Sequence, residues 1–243
     1  MNAQPTILVI AAMRGETRAL RRRLRRCKSE RWCGLQSWTG QLDGIAPKSV
    51  RVVHCGIGAA AAKGFTHRVL ESPDVDLGHT PVVIIGLAGG LDPQLELCAV
   101  AEVSCVVDGA SASDDPSHAA LRLDSSSQVE STLLTAPQLL TESSQKRDAW
   151  RSLDSASGAM VDMETFHLVA AFQGHVKSIR CARAVSDTCA TNLPRALAGE
   201  SGPHPWRLVG SVIRNPTQVG DLIRLGRTAR RCGERLADWV QSS

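Results

Sequence analysis

Acidic residues stand at three places where an apolar segment ends, and their side chains could carry chemistry. Glu16 follows the segment TILVIAAM, and Asp187 follows SIRCARAVS. Asp162 lies within a second apolar segment, AMVDM, and Glu164 comes directly after it. If these segments are strands of a parallel sheet, their ends lie along one edge, where open α/β folds bind ligands. Carboxylates that meet there could serve as a general acid, a general base or a ligand for hydroxyl groups.

Each carboxylate also has an ordinary structural explanation. Asp162 could cap the following helix, and Glu164 could lie in its first turn, where a negative charge contributes about 0.3 to 1 kcal/mol. Glu16 could do the same for the next helix, and Asp187 could be a turn residue. Taken singly, each structural explanation is preferred. Their shared position at the ends of strands gives the functional interpretation its weight.

The segment PVVIIGLAGGLDP, residues 81–93, is the centre of the predicted sheet. Its run of Val and Ile is typical of a strand that is covered on both faces. Gly86, Gly89 and Gly90 then bring the chain out of the strand through a turn that a ligand could approach closely. A glycine-rich strand exit without a ligand explains this segment equally well.

A second glycine pair, Gly56 and Gly58, follows another predicted strand and precedes a helix. This order could form an anion site at a helix N-terminus. The segment has neither the third glycine of a dinucleotide site nor the lysine of a P-loop. A close turn between strand and helix is therefore the preferred explanation of these glycines alone.

Composition limits the classes of protein to which the chain could belong. The 243 residues are 43% hydrophobic and 3% aromatic, without tyrosine, which suits one α/β domain over residues 1–243 with an aliphatic core. The net charge of +4 is mild and no nucleic-acid-binding motif accompanies it, so we expect no nucleic-acid partner. Eight scattered cysteines without a CxxC pair predict free thiols, no metal site and a cytoplasmic location.

Apolar periodicity predicts alternating strands and helices. Strands are predicted at 6–12, 32–42, 49–54, 82–85, 99–107 and 178–185. Helices are predicted from 59 to about 71, at 144–153, 166–172 and 206–214, and from 216 to about 240. Residues 108–128 are predicted to form a long surface loop, and residues 188–205 a lid or rim.

A basic helix is predicted after the first strand. Leu20, Leu24 and Cys27 would share its apolar face, and the other faces carry six arginines and Lys28. We prefer a solvated basic face. The alternative is a surface that meets anionic lipid or a phosphate-rich partner.

Five motifs together resemble the nucleoside phosphorylase/nucleosidase superfamily, over residues 6 to about 190. In chain order they are MRGE (13–16), GIG (56–58), GLAGGL (86–91), VDME (161–164) and RAVSD (183–187). The resemblance implies a three-layer α/β/α fold with a central mixed, mostly parallel twisted sheet. The C-terminal part resembles the hopanoid-associated branch, whose members remove adenine from adenosylhopane.

The resemblance also implies roles for individual residues. Asp187 would protonate or hydrogen-bond the purine N7, and burial would have to raise its pKa for it to act as an acid at neutral pH. Glu16 would activate water. Glu164 would accept hydrogen bonds from the ribose hydroxyls, and Met163 would pack against the sugar. Substrate contacts are also expected from Asp162, Ser186, Gly86, Ala88 and Gly89.

Three departures from the family pattern affect the substrate and the acceptor. Leu87 stands where many members have Ser or Thr, and Asp162 replaces the usual glutamate. No clear equivalent exists of the phenylalanine segment that stacks on the purine; Leu139, Leu140 and Trp150 are weak candidates. Glu16 and Leu87 favour water as the acceptor, whereas Arg14, Arg18 or the amide of Gly58 could bind phosphate, so hydrolysis is only slightly preferred.

The first hypothesis is therefore an enzyme that cleaves the N-glycosidic bond of an adenine nucleoside, without a cofactor or metal. Adenosylhopane and methylthioadenosine or S-adenosylhomocysteine are alternative substrates. A homo-oligomer and a peripheral membrane contact through the basic helix are further expectations. The rival hypothesis is a non-catalytic nucleoside-binding or membrane-associated regulatory protein, which predicts binding without turnover.

Overall fold

The computed structural model describes residues 6–43, 48–73, 75, 77–110, 120–127, 130–194 and 218–243. Its strands are β1 (Ile7–Ala11), β2 (Arg25–Trp32), β3 (Leu35–Leu42), β4 (Lys48–His54), β5 (Pro81–Gly90), β6 (Val100–Glu102), β7 (Cys105–Asp108), β8 (Ala120–Arg122), β9 (Thr132–Thr135), β10 (Met160–Asp162) and β11 (Ser178–Asp187). Its helices are α1 (Arg18–Arg23), α2 (Ala59–Leu70), α3 (Ser143–Ser152), α4 (Thr165–Phe172) and α5 (Gln218–Ser242).

The described strands form one sheet in the order β2-β3-β4-β1-β5-β10-β9-β7-β8, and β11 lies between β5 and β6. Parallel pairs join β4, β1, β5 and β11 at the centre, and also β7, β9 and β10. Antiparallel pairs lie mostly toward the edges, and β10 also pairs antiparallel with the end of β5. The sheet is therefore mixed, with a parallel centre.

Helices cover both faces of the central strands because alternate residues of those strands are apolar on each side. Ile10 and Ile84 face α2 and α4, where Phe65 and Phe172 meet edge to face with their ring centroids 6.2 Å apart. Neighbouring residues such as Val9 face the opposite way, toward α1 and α5. The predicted three-layer α/β/α arrangement is confirmed.

A third, smaller core holds α3 against β7, β9 and β10, through residues that include Leu134, Val161 and Trp150. The helix starts with a capping box, in which Glu142 and Gln145 bond each other's backbone amides. This core fixes α3 beside the carboxyl end of β11.

The prediction of a basic helix after β1 is correct only for its first one and a half turns. Helix α1 ends at Arg23, Leu24 is extended, and the residues from Arg25 form the edge strand β2 against β3. Leu20 and Leu24 are buried as expected, but Cys27 is exposed. Pairing with β3 satisfies the backbone of this segment and overrides its helical pattern. Its basic side chains lie on an exposed edge, where charge opposes further strand pairing.

Other boundaries also differ from the prediction. The segment predicted as one strand over 99–107 forms β6 and β7, which pair with different strands. The predicted loop over 108–128 contains β8, and the segment predicted as continuous strand over 32–42 turns at Cys33 and Gly34, both with positive φ. The predicted helix 206–214 and most of the predicted lid lie outside the described residues. Within the described part of the chain, no helix is long and apolar enough to cross a membrane.

Candidate active site

A cavity of about 380 Å³ opens where the carboxyl ends of β1, β5 and β11 meet. Glu16, Glu164 and Asp187 all line it, although up to 171 positions separate them in the chain. The same three carboxylates are 4–6% exposed. Apolar side chains form most of the remaining wall, and its other polar side chains are Gln138, Lys146, Asp162 and Ser186.

Glu16 is held by two backbone amides at the floor of the cavity. Met13 N donates to Oε2 at 2.7 Å, and Leu87 N donates to Oε1 at 2.9 Å. Burial raises the pKa of Glu16, while the Arg183 guanidinium and these amides oppose the rise. The carboxylate is thereby fixed in position and has a stronger tendency to accept a proton than an exposed glutamate.

Arg183 is a buried cation beneath the cavity. It forms a salt bridge with Asp162 Oδ2 at 2.6 Å and a hydrogen bond with Thr165 Oγ1. A side chain on Gly86 would place its Cβ 1.9 Å from Arg183 Nη1, so this glycine makes room for the guanidinium. Gly86 therefore supports the site from below and does not line the cavity with Leu87, Ala88 and Gly89.

Asp162 lines the cavity but is fully used by protein groups. Besides Arg183, it accepts hydrogen bonds from Thr135 Oγ1 at 2.8 Å and from the amide and hydroxyl of Thr165. The N-cap position of α4 is Glu164, and Asp162, two residues earlier, accepts from the first amide of the helix at 3.1 Å. Asp162 thus anchors Arg183 and the start of α4.

Glu164 faces the glycine turn that follows β4. Gly58 N donates to Glu164 Oε1 at 2.7 Å. Burial, followed by repulsion from the Asp162 carboxylate, raises the pKa of Glu164 to about 7. The turn considered for phosphate therefore binds a carboxylate of the protein itself, and Met163 lies beside it on the cavity wall.

Asp187 has partners on both of its oxygens. The Ser186 hydroxyl donates to Oδ1 at 2.6 Å, and the Lys146 ammonium forms a salt bridge with Oδ2. Lys146 also donates to the carbonyls of Thr191 at 2.9 Å and Thr188 at 3.1 Å. The buried acid predicted from the sequence is thus paired with a buried cation.

The remaining wall consists of the loop after β9, the segment that follows β11 as far as Leu193, and one face of α5. Leu139 and Leu140 line the cavity, as does Leu193, whose amide donates to Thr141 O at 2.8 Å. Trp150 does not; its indole donates to Ala156 O at 3.0 Å within the small core. Of the three residues suggested for stacking on a base, the structure places two at the cavity.

The cations proposed for phosphate binding are not at the cavity. Arg14 lies over the ring of Trp38, at 5.5 Å from its centroid, and Arg21 covers the same ring at 4.4 Å. Arg18 lines a neighbouring cavity between α1 and α5. Among the described residues that line the main cavity, Lys146 is the one Lys or Arg. The described chain also holds no cluster of three His, Cys, Asp or Glu side chains suited to a metal ion.

The sequence analysis did not identify Lys146 or Arg183 as candidate site residues. Lys146 stands in the charged sequence SSQKRDAWRS, where nothing distinguishes it from solvated neighbours. Arg183 did leave a signal, because it interrupts a strand that is otherwise suited to full burial. A buried arginine requires a carboxylate partner, so its position in a buried strand could have predicted an ion pair with one of the acidic residues.

Comparison with known proteins places the fold. No model of a protein family and no curated protein matches the chain. Among solved structures, a methylthioadenosine/S-adenosylhomocysteine nucleosidase from Neisseria meningitidis, in complex with methylthio-immucillin-A, superposes with a TM-score of 0.65 and 19% identity over 98% of this chain and 99% of that one. Futalosine hydrolase from Helicobacter pylori gives a TM-score of 0.67 and 16% identity over 99% of both chains.

A third solved structure, the nucleosidase from Colwellia psychrerythraea in complex with adenine, gives a TM-score of 0.61 and 21% identity over 93% of this chain and 96% of that one. All three proteins are nucleosidases or hydrolases by name, and each superposes over nearly its whole length. The chain therefore has the fold of the nucleoside phosphorylase/nucleosidase superfamily, which confirms the fold that the sequence resemblance implied.

Proposed function

We propose that this protein is a hydrolase that cleaves the N-glycosidic bond of an adenosine-type compound. The observation that carries the proposal is the convergence of Glu16, Glu164 and Asp187 on one buried, mostly apolar cavity. The fold supports it, because the solved nucleosidases with this fold are in complex with adenine or a methylthio-immucillin.

The leaving base gains negative charge as the bond breaks, and the sugar gains positive charge. Asp187 and Ser186 lie together at the end of β11, next to the cavity. Asp187 hydrogen-bonds the purine nitrogen that takes up the charge, and Ser186 orients that carboxylate. Leu139, Leu140 and Leu193 exclude water from the faces of the base.

Glu16 is the base that activates water. Two amides fix its carboxylate, and burial raises its pKa, so it accepts a proton more readily than an exposed glutamate. The water it deprotonates attacks the anomeric carbon. Arg183 lowers the energy of the ionised form from below without entering the cavity.

Glu164 accepts hydrogen bonds from the ribose hydroxyls, and Met163 packs against the sugar ring. The amide of Gly58 orients the Glu164 carboxylate from outside the cavity. Because the carboxylate is negative, it also stabilises the positive charge that develops on the sugar. Its pKa of about 7 makes this contribution sensitive to pH.

Water is the preferred acceptor over phosphate. A phosphate dianion in a buried site needs cationic or amide partners. The amide of Gly58 is bonded to Glu164, Arg14 is stacked on Trp38, and Lys146 is paired with Asp187. These three groups are therefore not free to hold phosphate beside Glu16. Arg18, the remaining cation proposed for phosphate, lines an adjoining cavity together with Glu16.

The apolar wall favours a substrate with an apolar substituent on the ribose. Met13 and Leu87 continue the wall from the site to α5, where Leu225 and Ala229 line it. This wall supports adenosylhopane, the substrate suggested by the C-terminal resemblance. A small thioether such as methylthioadenosine is the second candidate, supported by the nucleosidases that share the fold.

Adenine release from a panel of adenosine derivatives tests the function and ranks the substrates. The panel contains adenosine, methylthioadenosine, S-adenosylhomocysteine and adenosylhopane in mixed micelles, each with and without phosphate. Adenine and a free sugar, formed at the same rate in both buffers, support hydrolysis. A sugar 1-phosphate would establish a phosphorylase, and binding without turnover of any compound would favour the non-catalytic alternative.

Self-association and membrane contact stay proposals. The basic side chains of α1 and β2, which include Arg18, Arg22 and Lys28, form the surface that would meet anionic lipid. Sedimentation with vesicles of anionic and neutral lipid tests this contact. Analytical ultracentrifugation of the same protein tests for a homo-oligomer.

A further inference from the structure

Lys146 lies deep in the protein, at the edge of the cavity. Its side chain is 1% exposed, and its ammonium donates to Asp187 Oδ2, Thr188 O and Thr191 O. An ammonium group has three protons, and each of these has an acceptor. Three separate parts of the structure hold this arrangement: α3, the end of β11 and the segment that follows it.

Stability alone does not account for this pair. A buried ion pair gains little over apolar side chains of similar volume, because both charges lose their hydration. The small core beside the pair is aliphatic and aromatic, so the surroundings on that side do not require a charge. The pair is placed where Asp187 meets the cavity, which points to a role in the reaction.

Asp187 is surrounded by hydrogen-bond donors. Ser186 donates to one oxygen and Lys146 to the other, as suits an ionised carboxylate. A buried aspartate that acts as a general acid would ordinarily be expected to carry the transferred proton itself. Here the ammonium of Lys146 contacts the carboxylate directly.

We propose that Lys146 supplies, through Asp187, the proton that the leaving base takes up; this inference rests on the proposed function. A proton moves from Lys146 Nζ to Asp187, and the Asp187 carboxyl passes a proton to the base nitrogen as the glycosidic bond breaks. The electron pair of that bond stays on the base, which leaves neutral.

The protons balance over one turnover. Asp187 is again ionised and Lys146 is left as a neutral amine, while Glu16 holds the proton of the attacking water. Glu16 then releases its proton to solvent, and Lys146 takes one up when the product leaves. No oxidant, metal or cofactor takes part.

The surroundings of Lys146 suit both of its protonation states. The ammonium needs three acceptors, which are Asp187 and the carbonyls of Thr188 and Thr191. The neutral amine keeps two N–H donors for the two carbonyls, and its lone pair faces Asp187. Neither state leaves a buried donor without an acceptor, but the neutral amine no longer donates to Asp187 Oδ2, which favours the return of a proton to Lys146 at the end of the turnover.

Three variants test this role by steady-state adenine release. K146R keeps a cation beside Asp187 but cannot release its proton at any working pH. K146M removes the cation, and K146M/D187N replaces the pair by neutral groups. The best substrate of the panel is used, and thermal unfolding of each variant is measured.

We expect K146R to lose about 10²- to 10⁴-fold in kcat, the usual contribution of a proton transfer, with KM within about threefold. K146M should lose as much, and its kcat relative to that of the wild type should rise as the pH falls, because the proton must then come from solvent. The double variant should be no less active than K146M, because both changes remove one proton path.

Several results would overturn the proposal. K146R with the kcat of the wild type would show that only the charge of residue 146 matters. A loss in K146M that tracks its unfolding temperature, and that the double variant restores together with stability, would establish a structural role. Should the wild type release no adenine from any compound, the proposed function itself fails. Adenine release by K146R and K146M at the wild-type rate removes only the role of Lys146.

Discussion

The amide of Gly58 donates a 2.7 Å hydrogen bond to Glu164 Oε1, across 106 positions of sequence. A glycine turn before a helix can bind a phosphate, and here it binds a carboxylate that lines the cavity. The bond fixes the direction of Glu164 and occupies the amide. It therefore connects the proposed ribose contact of Glu164 to the proposed preference for water as the acceptor.

Glu164 should make the protein less stable as the pH rises. Its pKa is about 7 in the folded protein, above the ordinary value of 4.5, so the folded state binds more protons between these values. Stability from this group is complete below pH 4.5 and is lost as the pH rises through 7. Relative to E164Q, the wild type should lose up to about 3 kcal/mol of unfolding free energy between pH 5 and pH 8.

Urea unfolding of both proteins at several pH values measures this difference. Glu16 titrates in both proteins, and its repulsion of Glu164 is part of the measured difference. If the difference in unfolding free energy between wild type and E164Q does not change with pH, the pKa of Glu164 is not raised by its burial and by Asp162.

Gly86→Ala should destabilise the protein, because the added methyl group would meet the buried Arg183 guanidinium 1.9 Å away. Overpacking of this kind costs about 1–3 kcal/mol. Gly64→Ala is the matched control. Gly64 lies within α2 with open space around it, so alanine should stabilise the helix by about 0.5–1 kcal/mol. Thermal unfolding that moves in the same direction for both variants would contradict this account.

Glu16→Gln should remove hydrolysis while leaving substrate binding in place. The amide cannot accept the proton of water, so kcat should fall about 10²- to 10⁴-fold. The affinity for a substrate analogue, measured by calorimetry, should change little because Leu87 N can still donate to the side-chain oxygen. Glu130→Gln, on an exposed residue, is the control. A variant that keeps its kcat would assign the activation of water to another group.

The sequence predicted the central strands β1, β4, β5 and β11, but the predicted turn at Gly86, Gly89 and Gly90 is wrong because β5 continues to Gly90. The Val and Ile runs of β1, β4, β5 and β11 have no other stable environment than a covered sheet, so local pattern and burial agree. It failed at β2, whose residues have helical spacing but pair with β3. Partners distant in sequence decide such a segment, and spacing alone does not reveal them.

The carboxylates of the candidate site could be predicted because they stand at strand ends. Lys146 could not, since its burial depends on the docking of α3 beside the segment after β11. Asn192 illustrates this docking, with its side-chain oxygen 2.8 Å from the amide of Ser143. The position of Arg14 over the ring of Trp38 also depends on tertiary contacts, which a sequence motif does not reveal.

The central claim is that Asp187 acts on the leaving base in a cavity shared with Glu16 and Glu164. Adenine release by D187N tests it most directly, with D148N, on the exposed face of α3, as the control. We predict that D187N loses about 10²- to 10⁴-fold in kcat, whereas D148N matches the wild type. A folded D187N protein that releases adenine at the wild-type rate would contradict the claim.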